Sequence, residues 1–154
     1  ASKNMRDPRF LNKKKPKEYL AYQLYLDCMP EKEGSFSQRD FYSFYKNKNI
    51  KVFCDYHGIA IASYIEDECE LYFLGVKNNQ KRLGHGTKIL KNLIISSSAI
   101  GIRKIFLEVN VTNEAALKLY TNVGFKSLGI RKEYYKNSFN SFDDAIQMEL
   151  ILTC

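Results

Sequence analysis

The sequence predicts one mixed α/β (α+β) domain, and three observations carry that prediction. Two stretches run from an extended apolar segment through a turn into a helical pattern: 71–76 through Gly84 and Gly86 into Ile89, Leu90, Leu93 and Ile94, and 103–109 through Asn113 into Ala116, Leu119, Tyr120 and Val123. β-rich runs flank these two units on both sides. At 154 residues, 45% apolar and 27% charged, the chain has material for one core.

Each element follows from local chemistry. Residues 1–17 hold seven basic side chains (Lys3, Arg6, Arg9, Lys13, Lys14, Lys15, Lys17) against Asp7 alone, whereas the rest hold 17 Lys/Arg and 16 Asp/Glu. Such a basic, proline-punctuated, apolar-poor segment reads as a solvated, disordered tail, so the folded domain is expected over 18–154. Contact with RNA, for example on the ribosome, and service as a localisation signal are the other uses of such a tail. Residues 18–27, with Tyr19, Leu20, Tyr22, Leu24 and Leu26, read as a helix, although their partial alternation also fits a strand. Pro30 and Gly34 make 28–34 a loop. Ser37 can cap a second helix through Phe41, Phe44 and Tyr45. Strands are expected at 50–56 and 59–65, joined as a hairpin at His57 and Gly58. After a turn at 66–68, the strand 69–76 enters the glycine turn. A helix from Thr87 to about Ala99 stops near Gly101. The strand 103–109 follows, then a helix 114–123 capped by Asn113 and ended by Gly124. Strands 126–135 and 144–152 close the chain around a polar segment, 136–143. The count is about four helices on one sheet.

The turn at 76–86 is the most informative stretch. Two glycines around one residue allow a tight turn and clear side chains from the main-chain N–H groups. Those groups, the positive end of the next helix, and Lys81 and Arg82 together favour an anion such as a phosphate. The triphosphate loop is excluded because Gly86 is followed by Thr87 and Lys88 in the reverse of the required order. The dinucleotide loop is excluded because Ile89 stands where its third glycine belongs. Arg82-Leu83-Gly84-His85-Gly86 resembles instead the acyl-coenzyme A diphosphate loop of the GNAT acetyltransferase superfamily, with Lys81 where Gln or Arg is usual. The block 107–125, ending in Gly124-Phe125, resembles the strand, helix and Gly-Phe unit of the same superfamily. Glu133-Tyr134-Tyr135 with 144–148 resembles the closing hairpin of its protein N-terminal acetyltransferase branch, the RimI-like and Nat catalytic-subunit-like enzymes. The resemblance covers about 18–152. Asn110 departs from the branch, which usually has Arg there.

The resemblance implies a mostly antiparallel sheet splayed at an acetyl-CoA site, and acetyl transfer to a protein or peptide N-terminus by direct attack. It implies coenzyme contacts from Leu74, Val76, Lys81, Arg82, Leu83, Gly84, His85, Gly86, Thr87, Asn113, Ala116 and Tyr120. No side-chain nucleophile is needed, which agrees with the lack of a Ser/His/Asp or Cys/His set. Tyr120 lies seven residues after Asn113, so both face one side of the helix; it is the candidate acid for the departing thiolate. Three carboxylates compete as base: Glu108, which is preferred, Glu70 and Glu31. Each also fits an ordinary solvated or ion-paired glutamate. An α-amino group has a pKa of about 7.7–8.0, so the base removes a proton already nearly lost. Met29, Pro30, Glu31, Tyr72, Tyr134 and Tyr135 are expected to wall the substrate entrance.

Composition narrows the remaining classes. No apolar run of about 18 residues and no signal-peptide pattern is present, so neither a membrane span nor secretion is expected. Cys28, Cys54, Cys69 and Cys154 are scattered and only two histidines exist, which points to a reducing compartment such as the cytoplasm and to no metal. A small-molecule amine acetyltransferase and a nucleic-acid-binding module using the basic tail are the alternatives. An auxiliary Nat-type subunit is a further expected kind of partner. The chain begins at Ala1 rather than methionine, and the native start is expected to differ.

Overall fold

The computed structural model describes residues 17–29, 36–137 and 139–153. Its elements run α1 (Lys17–Cys28), α2 (Gln38–Lys46), β1 (Ile50–Cys54), β2 (Gly58–Ile65), β3 (Glu68–Val76), α3 (His85–Ala99), β4 (Lys104–Asn110), α4 (Glu114–Val123), β5 (Lys126–Lys136) and β6 (Phe142–Ile151). Of the basic stretch 1–17, only Lys17 falls within the described residues. Pro30 and Glu31, expected at the substrate entrance, and Cys154 lie outside them as well.

The α1 segment is a helix because Ala21, Tyr25 and Cys28, spaced by four and three, form its buried face. Strand β1 stops at Cys54, two residues short of the expected end. There the Asp55 carboxylate accepts hydrogen bonds from the N–H groups of His57 (2.7 Å) and Gly58 (3.0 Å), folding the backbone into a turn. Ser37 caps α2 through its hydroxyl, and Asn113 caps α4 by accepting from the Ala116 N–H at 3.1 Å, both as expected.

One six-stranded sheet in the order β1-β2-β3-β4-β6-β5 carries the helices. All neighbours are antiparallel except β3 and β4, whose parallel pairing requires the crossover through α3. Two hydrophobic clusters form. Leu90, Leu93, Ile105, Leu107, Tyr120 and Met148 fill the space between the sheet and α3 with α4. Tyr25, Phe41, Ile59 and Ile61 fix α1 and α2 to the opposite face of β1–β3. Beyond β3, the sheet face on the α1–α2 side carries Glu70, Glu108 and Gln147, which leaves a polar surface next to the aromatic cluster. Among the described residues no helix is long and apolar enough to cross a membrane.

Phe41 is fully buried and contacts Tyr22, Tyr25, Phe44 and Tyr45 by ring packing. Replacing Phe41 by Ala is expected to cost about 3–5 kcal/mol in urea unfolding, since it opens a cavity where α1 and α2 meet β2.

Candidate active site

The site begins where two strands part. β3 and β4 pair only through Glu68, Glu70 and the residue between them. From there β3 stays with β2 to Val76, and β4 stays with β6 to Asn110, so the two strands separate into a cleft. A bulge marks the parting: Ile61 faces Phe73 and Ala62 faces Leu71, so Tyr72 has no cross-strand partner. Along the cleft, main-chain groups of β3 lack a neighbouring strand and stand ready for another partner.

At the far end of β3 the chain turns through Asn78–Gln80 into α3. Gly84 takes φ +83° as the N-cap, a left-handed conformation that a side chain would strain, although a Cβ there would meet nothing within 4 Å. No side chain caps α3, so its first N–H groups remain available. Gly86 is glycine for a different reason: a Cβ would lie 3.0 Å from Leu119 Cδ1 and 3.6 Å from Val76 Cγ2, in the seam between α3, α4 and β3. Arg82 also has positive φ (66°), and Lys81, Arg82 and Leu83 are exposed. Leu74 and Ala116 pack against the core, and Thr87 is half-buried in the first turn of α3.

The His85 ring lies at the start of α3, stacked on His57 of the β1–β2 turn at 3.7 Å and 14°. The Lys77 N–H donates to the His57 carbonyl at 2.8 Å, fastening that turn to the end of β3. This histidine pair was not legible in the sequence, because the residues meet only once the hairpin has folded.

From the closed end of the cleft, where Glu70 still pairs with β4, across to β5, Glu70, Glu108, Tyr134, Tyr135 and Tyr120 are linked in series. The Tyr135 hydroxyl donates to the Glu108 carbonyl at 3.0 Å. Glu108 Oε1 accepts from Arg131 Nη1 at 3.0 Å and from Gln147 Nε2 at 3.2 Å. Burial, then the Glu108 carboxylate, raises the Glu70 carboxyl above its usual range. Burial raises Tyr135 to about 12, with Tyr134 and Glu108 adding to it. Tyr120 is buried and held well above the usual tyrosine range, first by burial and then by Tyr135 beside it. Two of the three expected bases, Glu108 and Glu70, thus lie together, and the expected acid Tyr120, packed on the α3–α4 side, is linked to Glu108 through Tyr135, while Glu31 lies outside the described residues.

Adjacent strand residues normally face opposite sides, yet the Tyr134 and Tyr135 rings are 4.8 Å apart. A bulge explains it. Between the pairs Arg131–Ala145 and Tyr135–Asp143, β5 holds three residues against Asp144 alone. Asp144 closes the bulge by accepting from the Glu133 N–H (2.9 Å) and Lys132 Nζ (3.3 Å), and Glu133 has φ 53°. Arg131 and Gln147 were missed from the sequence; the available signal was the register that sets Gln147 opposite Glu108. Asn110, the departure from the branch pattern, donates to Asp143 at 3.1 Å and so ties β4 to the β5–β6 hairpin. Met29 packs with the α1–α2 cluster, and its carbonyl accepts from Asn78 at 3.4 Å. A separate open concavity of about 570 Å³, lined by Asp67, Glu68, Arg103 and Lys104 among others, sits at the paired end of β3 and β4 and contains none of these groups.

Comparisons with known proteins bear on the family and the fold. Residues 19–125 match the model of the Acetyltransferase (GNAT) family. Over 93 residues the chain is 39% identical to the [ribosomal protein bS18]-alanine N-acetyltransferase of Haemophilus ducreyi, covering 60% of this chain and 64% of that enzyme. The enzyme of that name from Salmonella typhimurium is 34% identical over 104 residues, 66% of this chain and 70% of its own. The chain therefore spans less than two thirds of the first of these relatives. The crystal structure of the ribosomal-protein-S18-alanine N-acetyltransferase from Escherichia coli superposes with a TM-score of 0.76 at 27% identity, over 87% of this chain and 86% of that one.

Glu70 supplies a stability test. A carboxyl held above its unfolded value favours the folded state only while protonated, and that contribution is lost as pH rises through the folded pKa. Replacing Glu70 by Gln is therefore expected to raise Tm slightly at pH 7 and to leave it unchanged well below pH 4, as read by thermal melts across pH.

Proposed function

Because this chain belongs to the Acetyltransferase (GNAT) family, we propose that it transfers an acetyl group from acetyl-CoA to the α-amino group of a protein N-terminus. The single observation that supports this most is the cleft between β3 and β4: a loop with free N–H groups at one end, and a carboxylate–tyrosine array on its wall. The names of the relatives point to a ribosomal protein as the substrate and to the ribosome as the setting. The basic segment 1–17 would suit that setting by its charge.

The residues present fit the coenzyme. Gly84 and the uncapped first turn of α3 would hold its diphosphate, and Lys81, Arg82 and His85 would flank the phosphates. Leu74, Val76, Leu83, Thr87, Asn113 and Ala116 would line the rest of its path. Bound there, the coenzyme supplies a thioester whose carbonyl carbon bonds to the amine nitrogen as its carbon–sulfur bond breaks.

The chain's own side chains handle the protons. Glu108 takes one proton from the incoming ammonium, which frees the nitrogen lone pair for attack. Tyr120 hydrogen-bonds the departing thiolate and hands it a proton. A free thiol has a pKa of about 8.5 and a phenol about 10, so this transfer is uphill for a tyrosine raised by burial. The second proton lost by the nitrogen restores the phenol, and Glu108 releases the first to water, so one proton is released per acetyl transferred. Met29, Pro30, Glu31, Tyr72, Tyr134 and Tyr135 would border the entrance. Glu70, close to Glu108, is the second choice of base and Glu31 the third.

An acetylation screen over N-terminal peptide libraries, run beside polyamines and aminoglycosides, tests the reading. Product is expected on peptide α-amines alone; modification only of the small amines would overturn it. Tyr120→Phe should lower kcat by about 10²-fold or more with little change in KM for acetyl-CoA. Glu108→Gln should remove the acidic limb of the pH profile of kcat/KM. Gly84→Ala should instead raise KM for acetyl-CoA, as the left-handed turn costs about 1 kcal/mol with a side chain.

A further inference from the structure

The function proposed above leaves Arg131 unused, although three features converge on it. Its Nη1 lies 3.0 Å from Glu108 Oε1. Its guanidinium sits 4.4 Å from the centre of the Tyr134 ring, a cation–π arrangement. Arg131 is the last residue of β5 in register, opposite Ala145, before the bulge of three residues against Asp144, whose carboxylate holds the Glu133 N–H and the Lys132 ammonium. An ordinary surface ion pair has no such scaffold and contributes little.

The hydrogen bonds are unevenly divided between the two oxygens of Glu108. Oε1 takes both Arg131 Nη1 and Gln147 Nε2, whereas Oε2 takes neither, and the Tyr134 hydroxyl is a further side-chain partner of the carboxylate. The Glu108 side chain is 18% exposed, so its orientation is set by these partners, whereas Arg131 is 54% exposed on the outer side. We infer that Arg131 is the positioning residue of the base: with Gln147 it pins Glu108 through Oε1, so that Oε2 is the oxygen presented to the substrate amine. The inference rests on the reading of Glu108 as base.

The charged and titratable groups around Glu108 are Glu70 from β3, and Arg131, Tyr134 and Tyr135 from β5; Gln147 from β6 is neutral. Arg131 is the one cation among these, opposed by the like charge of Glu70. Losing it removes a favourable partner of the carboxylate and leaves the unfavourable one. The acidic limb of the variant's pH profile should therefore lie at higher pH.

The test is the pH dependence of peptide acetylation in the full chain for wild type, Arg131→Gln, Arg131→Lys and Glu108→Gln, with KM for acetyl-CoA measured alongside. In Arg131→Gln the acidic limb of kcat/KM for the peptide should move up by about half to one pH unit, the Coulomb effect being reduced by solvent. Its kcat should fall about tenfold as Oε2 loses its aim, with KM for acetyl-CoA within about twofold of wild type. Arg131→Lys should return the limb to its wild-type position but only part of kcat, because an ammonium lacks the planar fork. If the limb stays in place in Arg131→Gln while Glu108→Gln abolishes it, the inference fails and the base assignment stands. If Glu108→Gln keeps its limb, the base assignment fails and the role of Arg131 falls with it. Lowered kcat in Arg131→Gln without any limb shift, and unrelieved by Lys, identifies a purely structural role and also overturns the inference.

Discussion

The parting of β3 from β4 is the constraint on which the rest of the structure depends. Each strand keeps a full-length antiparallel partner on its other side, so neither loses its place in the sheet when the two separate after Glu70. Buried main-chain polar groups that lack a partner cost free energy, and a sheet that opens in its middle carries that cost only where another molecule or water offsets it. The bulge at Tyr72 begins the opening, and the crossover through α3 spans it. The uncapped start of α3 then lies directly at the mouth of the gap, because a Cβ on Gly86 would meet both Val76 at the end of β3 and Leu119 of α4.

A second irregularity faces the first across the cleft. The bulge in β5 turns Tyr134 to the side of Tyr135, next to the Arg131 that pairs with Glu108. Bulges re-aim side chains at the expense of ladder hydrogen bonds, and here Asp144 replaces the lost main-chain pairing with its carboxylate. The burial of Glu70, and then its approach to Glu108, is a further local cost, visible in the raised Glu70 carboxyl. Costs of this kind gathered on one face of an otherwise regular sheet belong to a site rather than to stability.

The local parts of this arrangement were legible in the sequence. Glycines, caps and periodicity act over a few residues, so the α3 turn, the Asn113 cap and the strand–helix order were found close to their true bounds. Helix α3 begins two residues before the expected Thr87 because Gly84 itself turns the chain. Glu108 and Tyr120 needed more, since nothing in their immediate neighbours distinguishes a base or an acid from a paired glutamate or a core tyrosine; only the resemblance singled them out. Arg131, Gln147 and the His57–His85 stack were out of reach for a physical reason. Each depends on strand register or on a bulge, and register is decided by pairing between residues far apart in the chain.

That dependence also divides the labour within the molecule. The loop expected to hold the coenzyme belongs to β3 and α3, whereas Glu108 and Tyr120 lie on β4 and α4. The hairpin of β5 and β6 links the latter two: Tyr135 bonds the Glu108 carbonyl and acts electrostatically on Tyr120, and Gln147 bonds the Glu108 carboxylate. A one-residue slip in that hairpin would turn Tyr135 and Gln147 to the wrong faces together. Asn110 and Asp144 guard against it from two directions, one by anchoring β4 to Asp143 and the other by closing the bulge. The register of the last two strands therefore sets the groups proposed to handle protons as a unit, independently of the loop at Gly84, and substitutions along β5 are free to retune them without disturbing the loop proposed to hold the donor.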